Sequence, residues 1–381
     1  MQKKKANIIL LLLWIFLTIV AFFPTIILNQ SLYSRARLVI YGLMFFIFFI
    51  NSSYNALAQA FFRRVFFVLI LTIMMILVFI MVGFKVSWVD TVNIIIVFIA
   101  MCIGYTWKYN EDSLETITLI FGALCVALGV VTLLYFVGSV SLSEYMYLVD
   151  TKNMVGQIVA SGAIGLTMIS FSSKGKKWIK IPLLVMAIIL TLYLRCRTAA
   201  VAYVLFAAYF IWKRYDYRYL LAFVAFLSVV FVFFSSSIIS FFDDVFIGST
   251  DITDMESLSA HRMHRNVDGI DFFVMHPIFG EMNAPSDLEN IHNYVIRRLA
   301  AYGIFSFPFL LIYFVFFIKL IKQWLKADVS DINTVGLMMM IIPFFSSLLE
   351  PLSPFGPGLV QIVPFFFYGS YLRSKNNYLA G

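Results

Sequence analysis

Residues 65–83 read VFFVLILTIMMILVFIMVG, a run without a single charge. A helix rises about 1.5 Å per residue and the hydrocarbon core of a bilayer is about 30 Å thick, so this run is long enough to cross one. Working outward, comparable apolar runs occupy 6–28, 37–51, 89–107, 114–138, 154–173, 178–194, 198–212, 219–240, 300–318, 334–349 and 357–372. The segments 37–51 and 198–212 are short and need flanking residues such as Tyr33, Tyr54 and Trp212 to complete a crossing. Composition agrees. The 381 residues are 62% hydrophobic, 18% aromatic and 13% charged, about half the charge of an ordinary soluble domain. Mean hydropathy is +0.93. A soluble globule, a disordered chain and a disulfide scaffold are thereby excluded. The three cysteines, Cys102, Cys125 and Cys196, lie in or beside apolar segments and read as small hydrophobes. The expected fold is all-α, a polytopic integral membrane helical bundle of about twelve transmembrane helices forming one membrane domain over 1–381.

Cations set the expected orientation. With the N-terminus placed in the cytoplasm, alternate connections hold Lys3, Lys4, Lys5, Arg63, Arg64, Lys108, Lys174, Lys176, Lys177, Lys180, Lys213, Arg214, Arg218, Lys319, Lys322, Lys326, Arg373 and Lys375 on the inner side. The short outer connections hold only Arg35, Arg37, Lys85, Lys152, Arg195 and Arg197. This asymmetry predicts that both termini are cytoplasmic. The first run is read as a retained anchor, because its apolar stretch is long for a signal peptide. The net charge of +8 follows from attraction of cationic loops to an anionic leaflet and calls for no nucleic-acid partner.

One connection is long. Residues 241–299 separate the ninth and tenth segments, and connections of this length are usually functional. Residues 241–292 hold half of the 20 acidic residues and all four histidines, His261, His264, His276 and His292. Charges inside the twelve segments fall only near their ends, at Arg37, Asp90, Glu115 and Lys180, which speaks against an ion-coupled transporter. The sequence has no GxxxxGK[ST], no HExxH and no Asp-x-Asp pair, so a phosphate-cradling P-loop and a carboxylate-held nucleotide-sugar ion are not expected. His261 and His264 could share a helix face and bind a metal, but Arg262 and Arg265 beside them would repel a cation. No metal is expected.

Arg195 and Arg197 stand between two apolar runs on the predicted outer side, where positive charge is disfavoured. They either snorkel to the interface or bind an anion, and a guanidinium fork suits phosphate oxygens. In Glu289-Asn290-Ile291-His292-Asn293-Tyr294-Val295-Ile296-Arg297-Arg298-Leu299, a helix starting here would carry Asn293 and Arg297 on one face with His292 at the bilayer mouth. Alternatively His292 is no more than a polar residue at a helix start.

Four patterns in order resemble the superfamily of O-antigen ligases and O-antigen polymerases, polytopic bacterial glycosyltransferases. They are Thr151-Lys152-Asn153-Met154-Val155-Gly156, then Arg195-Cys196-Arg197-Thr198-Ala199, then Arg262 followed by Pro277-Ile278-Phe279-Gly280, and last His292-Asn293 with Leu299 and Gly303-Ile304. Cys196 and Ser306 depart from the family pattern. The resemblance implies transfer of a glycan from polyprenyl diphosphate to a sugar hydroxyl at the outer face of the bacterial cytoplasmic membrane. It implies His292 as general base, with Glu289 as the alternative, and Arg197 and Arg262 as the clamp on the leaving diphosphate. Arg195, Arg265, Asn293, Arg297 and Asn153 are implied as substrate-binding, with no cofactor. The implied partners are the lipid-linked oligosaccharide, membrane lipid, a chain-length regulator and a flippase. A polymerase is the favoured reading, a ligase moving finished polymer to lipid A core or another acceptor is the alternative, and a polysaccharide transporter is the reading from another class.

Overall fold

Backbone N–H and C=O groups inside a bilayer have no water to bond, so apolar runs of this length form helices that satisfy them internally. The computed structural model describes residues 2–52, 54–61, 63–83, 88–107, 110–139, 149–172, 177–194, 196–215, 217–233, 262–280, 291–350, 353–356 and 359–380. These are almost entirely helical, with no named strand among them. In chain order the helices are α1 (Gln2–Val20), α2 (Pro24–Ile27), α3 (Gln30–Asn51), α4 (Tyr54–Phe61), α5 (Arg64–Met81), α6 (Trp88–Thr106), α7 (Glu111–Ser139), α8 (Val149–Ser172) and α9 (Lys177–Tyr193). There follow α10 (Arg197–Arg214), α11 (Tyr217–Phe233), α12 (Arg262–Met275), α13 (Tyr294–Tyr302), α14 (Phe307–Lys326), α15 (Val335–Met339), α16 (Ile341–Leu349) and α17 (Ile362–Ala380).

Each of the twelve apolar segments overlaps a helix. Among the described residues six stretches are long and apolar enough to cross a membrane: Gln30–Asn51, Arg64–Met81, Glu111–Tyr135, Asn153–Phe171, Tyr294–Lys326 and Ile332–Leu349. Large apolar side chains such as Phe45, Phe46 and Phe49 of α3, and Phe67, Met74 and Val78 of α5, point outward, as lipid-facing surfaces do and soluble surfaces rarely do. The chain is an all-α membrane protein.

Several segments differ from their sequence reading. The run 6–28 is not one helix: α1 stops at Val20 and α2 begins at Pro24, because Phe23 is extended (φ −61°, ψ 139°), the conformation a following proline imposes. The run 300–318 is interrupted by Gly303, whose φ of +56° ends α13 before a short 3-10 turn, Gly303–Ser306, leads into α14. The last helix starts at Ile362 rather than 357 and continues to Ala380. Within 241–299, residues 241–261 and 281–290 lie outside the described residues; the described part forms α12 and the start of α13.

Helix α8 is the centre of the bundle, with 89% of its apolar window buried and α7, α9 and α10 packed around it. Small residues permit this closeness, which matters where lipid gives helices no hydrophobic reason to associate. A Cβ at Gly104 of α6 would lie 1.9 Å from the Phe366 carbonyl oxygen, and one at Gly369 of α17 would lie 2.1 Å from that of Met101. Helices α6 and α17 therefore meet backbone to backbone.

Charged residues mark two ends. At the start of α6, Asp90 pairs bidentately with Arg298 of α13, with one contact at 2.6 Å, and accepts from the Tyr302 hydroxyl at 2.8 Å. The Arg298 guanidinium also lies 5.0 Å from the Tyr294 ring centroid and 5.1 Å from that of Phe309. At the finish of α6, Tyr105 meets Arg63 and Arg373. Lys180 and Glu115 pair on α9 and α7, and Arg214 donates to Ser330 Oγ and the Phe171 carbonyl. Thus the charges near the ends of the apolar segments are not isolated but tie helix to helix.

Candidate functional site

Helix α13 needs a cap, because its first N–H groups have no partner within the helix. Asn293 meets that need: its Oδ1 accepts from the N–H groups of Val295 at 3.0 Å and Ile296 at 3.2 Å, while its Nδ2 donates to the Leu348 carbonyl at 3.3 Å. The helix start expected from sequence is correct, and the cap is Asn293 rather than His292. His292 is thereby held just outside the helix, its ring turned toward Arg265. Asn293, expected to bind substrate, has both ends of its amide engaged inside the protein.

The His292 ring lies between two charged groups from other helices. Nε2 is 3.0 Å from Arg265 Nη1 on α12. A guanidinium has donors and no acceptor, so Nε2 accepts and the ring proton sits on Nδ1. Nδ1 lies 3.9 Å from Glu350 Oε2, within ion-pair range and beyond hydrogen-bond range. The side chain of His292 is 12% exposed and that of Glu350 2%. Guanidinium and carboxylate together set the tautomer and the orientation of the imidazole.

Glu350 follows the last residue of α16 and is the hub of the cluster. Its Oε1 accepts from Thr198 Oγ1 at 2.6 Å and its Oε2 from Asn153 Nδ2 at 3.1 Å. Cys196 Sγ donates to the Asn153 carbonyl at 3.8 Å, and Gly156 closes the gap, since a Cβ there would lie 2.3 Å from Cys196 Cβ. Four elements distant in sequence, the starts of α8 and α10, the residues preceding α13 and the end of α16, thus meet at one carboxylate. Arg197, the first residue of α10, is half-buried between Cys196 and Thr198, both of them anchored in this cluster. A cation at the positive end of a helix dipole is unfavourable by itself and fits a place where an anion arrives.

Helix α12 is docked on this end. Gly269 faces Ile291 and Ile296, and Phe272 packs on the buried pair Ile291 and Ala300. The turn after α12 holds Pro277-Ile278-Phe279-Gly280. The Ile304 N–H donates to the Pro277 carbonyl at 2.9 Å, a Cβ at Gly303 would lie 2.5 Å from the Pro277 and Ile278 oxygens, and Phe279 stacks on Phe305 at 5.5 Å. Two separate sequence patterns, one around Gly280 and one around Gly303, are the two halves of one contact that sets α12, and so Arg265, against α13.

Of the other residues singled out by sequence, Arg297 is half-buried on α13 and Arg262 is the first residue of α12. Arg195, Glu289 and His261 lie outside the described residues, as does the side chain of Arg262. His264 is exposed and faces Asp268 on its own helix at 3.8 Å. Glu350 escaped the sequence reading, and Thr198 entered it only as part of the pattern around Arg197, with no role of its own. A signal for Glu350 existed: it is the one charged residue between Asp331 and Arg373, in an otherwise uncharged stretch whose membrane end it marks.

No protein-family model and no curated protein matches this sequence.

Proposed function

We propose that the chain is a metal-independent glycosyltransferase of the bacterial cytoplasmic membrane that joins oligosaccharide repeat units carried on polyprenyl diphosphate into a surface polysaccharide. The twelve apolar segments cross the bilayer in this reading, both termini face the cytoplasm, and the His292 end faces outward. The observation that carries it is the imidazole held between Arg265 and the buried Glu350, with Arg197 and Arg262 on the neighbouring helix starts. A sugar hydroxyl is a weak nucleophile and needs a base, and a diphosphate leaving group needs fixed positive charge.

The transfer balances as a single displacement. The acceptor hydroxyl oxygen attacks the anomeric carbon, its proton passes to His292 Nε2, and the bond to the diphosphate oxygen breaks with its electron pair leaving on the diphosphate. Arg197 and Arg262 receive that charge. Arg265 occupies Nε2 before the donor binds; the arriving diphosphate draws the guanidinium to itself and exposes the base. Glu350 faces the resulting imidazolium. Direct displacement inverts the anomeric centre.

Purified protein incubated with lipid-linked repeat unit, without nucleotide, yields a polymer ladder in this reading, and His292→Ala, Arg197→Ala and Arg262→Ala abolish it at normal membrane levels. Wild-type ladders from all three variants would sink the site assignment. Loss of the base with Glu289→Gln but not His292→Ala would move that role to Glu289. Polymer accumulating on its carrier in cells that lack the protein would convert the reading to a ligase. Transbilayer movement of the lipid-linked substrate without bond formation would make it a transporter.

A further inference from the structure

At the end of the bundle opposite His292, cations from three segments converge. Arg63 precedes α5 as its N-cap and offers no side-chain cap. Its guanidinium lies 5.5 Å from the Tyr105 ring centroid, and Arg373 Nη1 donates to the carbonyls of Tyr105 at 2.9 Å and Thr106 at 3.1 Å. Helix α14 packs along α5 and carries Lys319, which lies within electrostatic reach of Arg63, Arg64 and Lys375. Arg63, Lys319 and Lys375 are half-buried. Among the described residues no carboxylate forms an ion pair with Arg63, Arg64, Lys319 or Lys375, and Arg63 Nε is buried without a hydrogen-bond partner. Asp331, which with Arg63 influences Tyr371, has its Oδ1 engaged by the backbone and side chain of Asn333.

General attraction to an anionic leaflet accounts for cations spread on exposed surface, as Lys322 and Lys326 are on α14. It does not account for three half-buried cations, Arg63, Lys319 and Lys375, gathered with the exposed Arg64 in a partly dehydrated place. Like charges repel there more strongly than in water, and an anion among them relieves the repulsion. The uncapped start of α5, an 18-residue helix, adds the positive end of its dipole at the same point.

We propose that Arg63, Arg64, Lys319 and Lys375 form a binding site for a phosphate group, occupied by the headgroup of an anionic lipid in the leaflet bordering this end. The site lies across the bundle from His292 and does not depend on the transfer chemistry. The test uses the full chain in a neutral detergent with phosphatidylcholine, titrated with phosphatidylglycerol, and reads lipid retained by native mass spectrometry together with Tm. Wild type retains phosphatidylglycerol over phosphatidylcholine, and its Tm rises on addition. Arg63→Gln/Lys319→Gln raises the lipid concentration for half-maximal effect about thirtyfold, on the scale of two cations at an anionic surface. Arg63→Lys/Lys319→Arg restores retention, and Lys322→Gln/Lys326→Gln leaves it unchanged. Inorganic phosphate added at the lipid concentration distinguishes the source: displacement assigns the site to soluble phosphate, and its failure assigns the site to lipid. Equal retention of the two lipids by wild type, with no difference in Tm, overturns the proposal even where a variant does not fold.

Discussion

The two ends of α6 are both rich in arginine, yet they handle charge in opposite ways. At its start, Arg298 is sealed against Asp90 and three aromatic rings, and nearby Glu350 collects donors from Thr198 and Asn153 beside His292. At its finish, Arg63 and Lys319 gather without a carboxylate partner among the described residues. A charge matched inside the protein builds and orients a structure; a charge left unmatched waits for something from outside. The first end mixes both kinds, which is what a reacting centre requires. The second has an excess of one sign, which suits binding without chemistry.

Five substitutions break or sharpen this contrast. The largest effect is expected for His292→Ala, which under the proposed reaction lowers transfer by about 10²–10⁴-fold while Tm stays near wild type; a matched fall in Tm and activity would mean the ring is only structural. Asp90→Ala strands Arg298 in a buried position and destabilises by about 3–5 kcal/mol, read as lost detergent-resistant fold or a large drop in Tm. An effect of similar size follows from Glu350→Ala, which leaves the Thr198 and Asn153 donors unmatched at about 1–3 kcal/mol each. Glu350→Gln keeps an acceptor, so it recovers most of that stability but not the transfer rate, since a neutral amide does not offset an imidazolium; equal behaviour of Ala and Gln in both assays would contradict a charge role. The smallest effect, within about 0.5 kcal/mol, is expected for Lys322→Gln on the exposed face of α14, measured as Tm.

Much of the helical framework is legible because a run of apolar residues between charged or turn-forming ones has one outcome in lipid. Asn293-Tyr294 reads as a helix start for a local reason, a side chain that bonds the N–H groups two and three residues ahead. His292, Asn153 and Arg265 are legible as polar residues on the predicted outer side, and the structure joins them. Glu350 is harder. As a single acid at the end of an apolar run it resembles any interfacial charge, and its importance lies in Asn153 and Thr198, 197 and 152 residues away. Arg298 is the reverse: beside Arg297 it reads as one of an outer pair, yet Asp90, 208 residues earlier, closes on it.

Amino-acid order alone determined that this chain is helical and belongs in a membrane, because hydropathy and the 1.5 Å rise are local properties that do not depend on which helix lies next to which. The breaks inside the runs 6–28 and 300–318 came to light only in the structure, in the extended residue before Pro24 and the positive φ at Gly303. Only tertiary structure decided which charges are matched and which are left open, because a pair such as Asp90 and Arg298, or the carboxylate shared by Asn153 and Thr198, forms when glycine-lined helices approach closely enough to bring distant residues within about 3 Å.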